Sequence, residues 1–102
     1  MELSISHGSD RTTAKINGKL TFKENQPFKQ LVAKLFTNRE SKTTCVFDLQ
    51  DVEFIDSAGI GLLLIAKDKA SSADIEIVLA NAPEAARRII QIARLDRIFT
   101  IE

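Results

Sequence analysis

Apolar positions along the chain follow two rhythms, one of period two and one of period about 3.6. Leu3 and Ile5 alternate with polar neighbours, and Ala14, Ile16, Leu20 and Phe22 do so around Asn17-Gly18. Alternation puts one face of a strand against a core, so this region predicts two early strands, or one bent strand with a tight turn or bulge at the glycine. After Asn25-Gln26-Pro27, residues Phe28, Leu31, Val32, Leu35 and Phe36 recur at i, i+3, i+4, i+7 and i+8. That spacing is an amphipathic helix with Pro27 in its first turn. The run Thr43-Thr44-Cys45-Val46-Phe47-Asp48-Leu49 is β-branched, aromatic and nearly continuous in its apolar part, as in a strand buried on both faces of a parallel sheet.

Val52-Glu53-Phe54-Ile55-Asp56-Ser57 leads into residues 58–70, which have helical length, with Ser57 or Asp56 as cap. Residues 74–80 read as another strand. Pro83 opens a helix that turns Ala86, Ile89, Ile90 and Ala93 inward and Glu84, Arg87, Arg88, Gln91 and Arg94 outward. Ile98-Phe99-Thr100-Ile101 is a final short strand. Strands alternating with helices define an α/β domain with right-handed crossovers. The expectation is a mixed, mostly parallel sheet of four to five strands with three or more packed helices, the first two strands antiparallel at one side.

Composition narrows the class. The chain has 102 residues and 11.3 kDa, with no internal repeat, no low-complexity segment and two distant prolines, so residues 1–102 form one domain. Fourteen Lys and Arg balance fourteen Asp and Glu, which disfavours direct nucleic-acid binding and attachment to anionic lipid. A single cysteine, Cys45, in an apolar run reads as a buried free thiol in a reducing, cytoplasmic setting. The densest apolar run, Ile60 to Ala66, is far short of the ~20 residues that span a bilayer, so no membrane insertion is expected.

Catalytic chemistry finds little footing. Asp56, Ser57 and the lone His7 are the residue types of a hydrolytic triad, but no Gly-x-Ser-x-Gly elbow is present. One Cys and one His make no metal cluster, and Gly59-x-Gly61 is neither a Walker loop nor a complete dinucleotide fingerprint. No enzyme activity, cofactor or metal is expected. The outward row Arg87, Arg88 and Arg94, with Arg97 beyond, reads as a solvated helix face.

Asp56-Ser57-Ala58-Gly59-Ile60-Gly61 stands at a strand-to-helix junction, where function gathers in α/β folds. Two readings of Ser57 are open: a plain N-cap, or a phosphorylation site, since free N–H groups and the positive end of the helix dipole suit a dianion. Just downstream, Ile60, Leu62, Leu63, Leu64 and Ile65 spread nearly round the helix axis. Either neighbouring elements cover both flanks, or some of Ile60, Leu62, Leu63 and Ile65 stay exposed as a docking patch.

The stretch from Val46 to Leu63, VFDLQDVEFIDSAGIGLL, closely resembles the STAS domain of bacterial anti-sigma factor antagonists. The likeness extends over nearly the whole chain, from the Gly18-Lys19-Leu20 turn to the Pro-led last helix. It implies partner switching: an unphosphorylated antagonist binds an anti-sigma factor, often a serine kinase, and frees a sigma factor. Phosphorylation breaks that contact, and a protein-phosphatase-2C-like phosphatase restores it. By motif position Ser57 is the phosphoacceptor, and the docking surface is expected over Asp56, Ser57, Ala58, Gly59, Ile60, Gly61, Leu62 and Ile65. Two departures stand out: Thr21 replaces an acidic residue common after the Gly-x-Leu turn, and Ala58 replaces a common second hydroxyl residue. The alternative is a structural STAS subunit of a bacterial ABC-type lipid-transport complex. The balanced charge is also unevenly spread, with Asp48, Asp51, Glu53 and Asp56 close together and Arg87, Arg88, Arg94 and Arg97 at the other end.

Overall fold

In the computed structural model, residues 2–8, 11–21, 23, 25–36 and 44–102 are described. Strand β1 (Glu2–His7) pairs antiparallel with β2 (Arg11–Leu20). Helix α1 (Asn25–Phe36) crosses to β3 (Thr44–Ile55), and α2 (Ser57–Ser72) crosses to β4 (Glu76–Ala80). Helix α3 (Glu84–Ile92) and a short 3₁₀ turn (Leu95–Arg97) lead to β5 (Thr100–Ile101). The sheet order is β1-β2-β3-β4-β5, with the last three pairings parallel. This is the mixed, mostly parallel α/β architecture that the alternation of patterns predicts.

The early alternation resolves as two strands, and Gly18 marks an irregularity in the second. Its φ of 96° lies in the region that favours glycine, and the β2–β3 register shifts on either side of it. Both shifts leave the extra residue on β3, so Ala14, Ile16 and Leu20 keep their two-residue spacing on one face of β2, and all three are fully buried. Phe22 and Thr43 lie outside the described residues.

One core gathers that face of the sheet and all three helices. Phe28, Leu31 and Val32 of α1, Leu62, Leu63, Ala66 and Ala70 of α2, and Ala86 and Ile90 of α3 join Phe47, Leu49, Ile77 and Leu79. Phe28 meets Phe47 edge to face, ring centres 6.0 Å apart. The opposite face of the sheet is not covered by these helices. It carries a small separate cluster of Val46, Val78 and Ala80, with ion pairs Lys15–Asp51 at 3.2 Å and Arg11–Glu102 at 3.2 Å. Strand periodicity accounts for this: Cys45, Phe47 and Leu49 point one way and Val46 and Asp48 the other.

Two boundaries differ from those read in the sequence. Val52–Ile55 is not a connector but the end of a twelve-residue β3. Ile98 and Phe99 precede β5 in the turn, where Phe99 is buried as a plug rather than as a strand residue.

Candidate functional site

The carboxyl ends of β2 and β3 meet the start of α2 through a tight set of backbone contacts. Asp56 is extended (φ −96°, ψ −177°) and is the N-cap of α2. Its Oδ1 accepts the Gly59 N–H at 2.7 Å, and its carbonyl accepts the Ile60 N–H at 3.0 Å. Its own N–H donates to the Leu20 carbonyl at 3.3 Å, which ties the junction to the end of β2. The same carbonyl explains the glycine three residues on: a Cβ on Gly59 would sit 2.1 Å from Leu20 O. Asp56 and Gly59 thus serve local architecture, satisfying a helix-start donor and admitting close approach of the strand.

Ser57 is left out of that work. With Asp56 as cap, Ser57 becomes the first helical residue; it is exposed, and its hydroxyl has no hydrogen-bond partner among the described residues. Of the two capping candidates read in the sequence, the structure selects Asp56.

The expected docking residues divide. Ile65 is exposed, Ala58, Ile60 and Gly61 are half-buried, and Gly59 and Leu62 are buried. Leu62 is a correction: with Leu63 it points into the core, because the buried side of α2 is centred on Leu62, Leu63, Ala66 and Ala70. Leu64, 38% exposed, takes its place beside Ile65 at 37%. The signal was available in the helical angle, because seven residues turn about 700°, which returns Leu64 almost to the azimuth of Ser57. Gly61 lies on the same stripe, and a Cβ there would meet nothing within 4 Å.

Sequence reasoning also missed a groove of about 460 Å³ lined by Lys19, Thr21, Lys23, Phe54 and Asp56. Lys19 and Phe54 are cross-strand partners at the ends of β2 and β3, and Phe54 is 47% exposed. Lys19 and Lys23 have no ion-pair partner among the described residues, unlike Lys15 with Asp51. No periodicity marks such a site, since it depends on which strand ends lie side by side.

The triad residues are not assembled: His7 is level with Thr12 and, across β2, with Cys45 at the start of β3, whereas Asp56 and Ser57 follow its other end. The arginine row is exposed, with Arg88 3.5 Å from Glu84 and the Arg87 guanidinium donating to the Ala82 carbonyl at 3.3 Å. Among the described residues no helix is long and apolar enough to cross a membrane.

This five-stranded sheet with its three helices is a fold shared with known proteins. Residues 5–102 match the STAS domain model, and the chain belongs to the STAS-domain family. A STAS-domain-containing protein of Pseudomonas aeruginosa strain UCBPP-PA14 is 30% identical over 90 residues, which is 87% of this chain and 85% of that one. A proposed anti-sigma factor antagonist of Thermotoga maritima superposes with a TM-score of 0.84 at 26% identity, over 97% of this chain and 84% of that one. The anti-sigma factor antagonist SpoIIAA in its unphosphorylated form shares the fold, with a TM-score of 0.75 at 19% identity over 99% and 88% of the two chains. The fold also occurs within a murine anion transporter, Slc26a9, with a TM-score of 0.72 at 21% identity over 85% of this chain and 14% of that one.

Proposed function

We propose that the chain is an anti-sigma factor antagonist that binds an anti-sigma factor, itself often a serine kinase, when Ser57 is unmodified and is released when Ser57 is phosphorylated. One observation carries the reading: Asp56 caps α2 through Gly59 N–H, so Ser57 stands exposed at the helix start with no local duty. Its hydroxyl is free to be modified without loss of the cap. The likeness to the Thermotoga maritima protein supports the class of partner.

The physics of the switch is electrostatic. A phosphate brings about −1.5 to −2 charges to a stripe that includes Gly61, Leu64 and Ile65. Seating that dianion against a partner costs several kcal/mol unless opposing charges meet it. A coupling of ~3–4 kcal/mol weakens binding by a few hundredfold. A phosphatase of the metal-dependent, protein-phosphatase-2C-like type would reset the switch.

The test uses the tagged chain as bait. Ser57→Ala is expected to retain the anti-sigma factor, and Ser57→Asp or Ser57→Glu to lose most of it. Phosphopeptide mapping after treatment with the cognate kinase should place the modification on Ser57. Stable co-purification with an ABC ATPase, indifferent to phosphatase, would replace this reading with that of a transport-complex subunit.

A further inference from the structure

Resting on the antagonist reading, we propose that the groove at the ends of β2 and β3 seats an acidic segment of the partner that also carries an apolar side chain. Lys19 and Lys23 pair with its carboxylates, and Phe54 packs against its apolar group. Charge complementarity selects this occupant. Both lysines lack an ion-pair partner among the described residues, as do Lys29, Lys34, Lys67 and Lys69; what sets these two apart is that they line one groove together with the exposed ring of Phe54. The acid within the groove, Asp56, has its Oδ1 engaged by the Gly59 N–H. An aromatic side chain nearly half exposed lies directly across the strand pair from Lys19, so one segment laid over the strand ends meets a cation and a ring together.

The groove also gives the switch its sign. Ser57 directly follows Asp56, and phosphate there puts negative charge beside the lysines, neutralising them and repelling the carboxylates they would bind. The modification needs no change of fold to release the partner.

The experiment titrates the anti-sigma factor recovered with Ser57→Ala bait against the Lys19→Glu/Lys23→Glu double variant and against Phe54→Ala. Lys69→Glu, near the far end of α2, is the control. Thermal melts of the lysine variants should coincide with that of the parent, since the three lysines are exposed. The double variant should bind about tenfold or more weaker with a flatter salt dependence, and Phe54→Ala about tenfold weaker, while Lys69→Glu stays within about twofold. Carbodiimide, which joins amines to carboxylates in direct contact, should link Lys19 or Lys23 to partner Asp or Glu. Changing those acids to lysine should restore binding to the double variant. Unchanged affinity and salt slope in the double variant overturn the proposal, as does displacement of the partner by millimolar ATP or inorganic phosphate. The two readings fail separately: a partner indifferent to Ser57→Asp but sensitive to the lysines removes the switch and keeps the groove, and the converse removes only the groove.

Discussion

At Asp56 and Ser57, two neighbouring residues of similar capping ability carry different loads. The Asp56 carboxylate holds the Gly59 N–H, a contact of the kind that contributes about 1 kcal/mol to a helix, so chemistry at Ser57 leaves the helix start intact. The two glycines that follow are as unlike each other. Gly59→Ala drives a methyl to 2.1 Å from the Leu20 carbonyl and is expected to cost about 2–4 kcal/mol, because backbone must move. Gly61→Ala meets nothing within 4 Å and should gain about 0.5–1 kcal/mol by removing a helix-interior glycine. The same methyl projects from the stripe between Ser57 and Ile65, so it should weaken partner binding while raising stability. Urea unfolding and partner titration of the two variants read these opposite signs. The sequence marked Asp56, Ser57 and Gly59 as a junction but left the cap open, because either side chain suits the role. The choice follows from β3 running on to Ile55 and from the Leu20 carbonyl taking the Asp56 N–H.

Helix α2 answers both of the readings its apolar sequence allowed. Leu62 and Leu63 fill the core, while Leu64 and Ile65 lie open along the Ser57 stripe. Leu63→Ala is expected to cost about 2–5 kcal/mol as a core cavity. Leu64→Ser and Ile65→Ser should each cost less than about 1 kcal/mol yet reduce affinity for the anti-sigma factor, a separation that thermal melts and titrations on the same proteins would expose. Periodicity showed the helix well but not its bearing, since five apolar residues leave the buried side undetermined until the sheet is in place. The length of β3 was hidden for a related reason. Pairing with β4 stops at Asp48–Ala80, whereas pairing with β2 continues to Leu20–Ile55. Beyond Leu49 the strand has one neighbour, so Gln50, Asp51 and Glu53 sit in water and break the apolar run that identifies a central strand. That single-sided extension is what brings Phe54 and Asp56 to the end of β2.

For the molecule as a whole, alternating patterns sufficed to read an α/β domain with a parallel centre, and the antiparallel β1 at its side. They did not show that the helices share one face, because sidedness depends on strand order and hence on pairings distant in sequence. The uncovered face is held across its width by Arg11 and Glu102, about half exposed and 91 positions apart. Removing that pair with Arg11→Ala should cost less than about 1 kcal/mol, an effect that shrinks as salt rises, measurable by denaturant unfolding at two ionic strengths. The strand order itself has a kinetic consequence. Each strand lies beside its predecessor in the chain, so each new pairing closes over no more than one intervening helical segment and none has to wait for a later strand. A chain leaving the ribosome N-terminus first can bring Leu20, Ile55 and Gly59 together as soon as α2 emerges, while β4 and β5 are still to be synthesised. Ser57 would then be in place on the nascent chain before the sheet is complete.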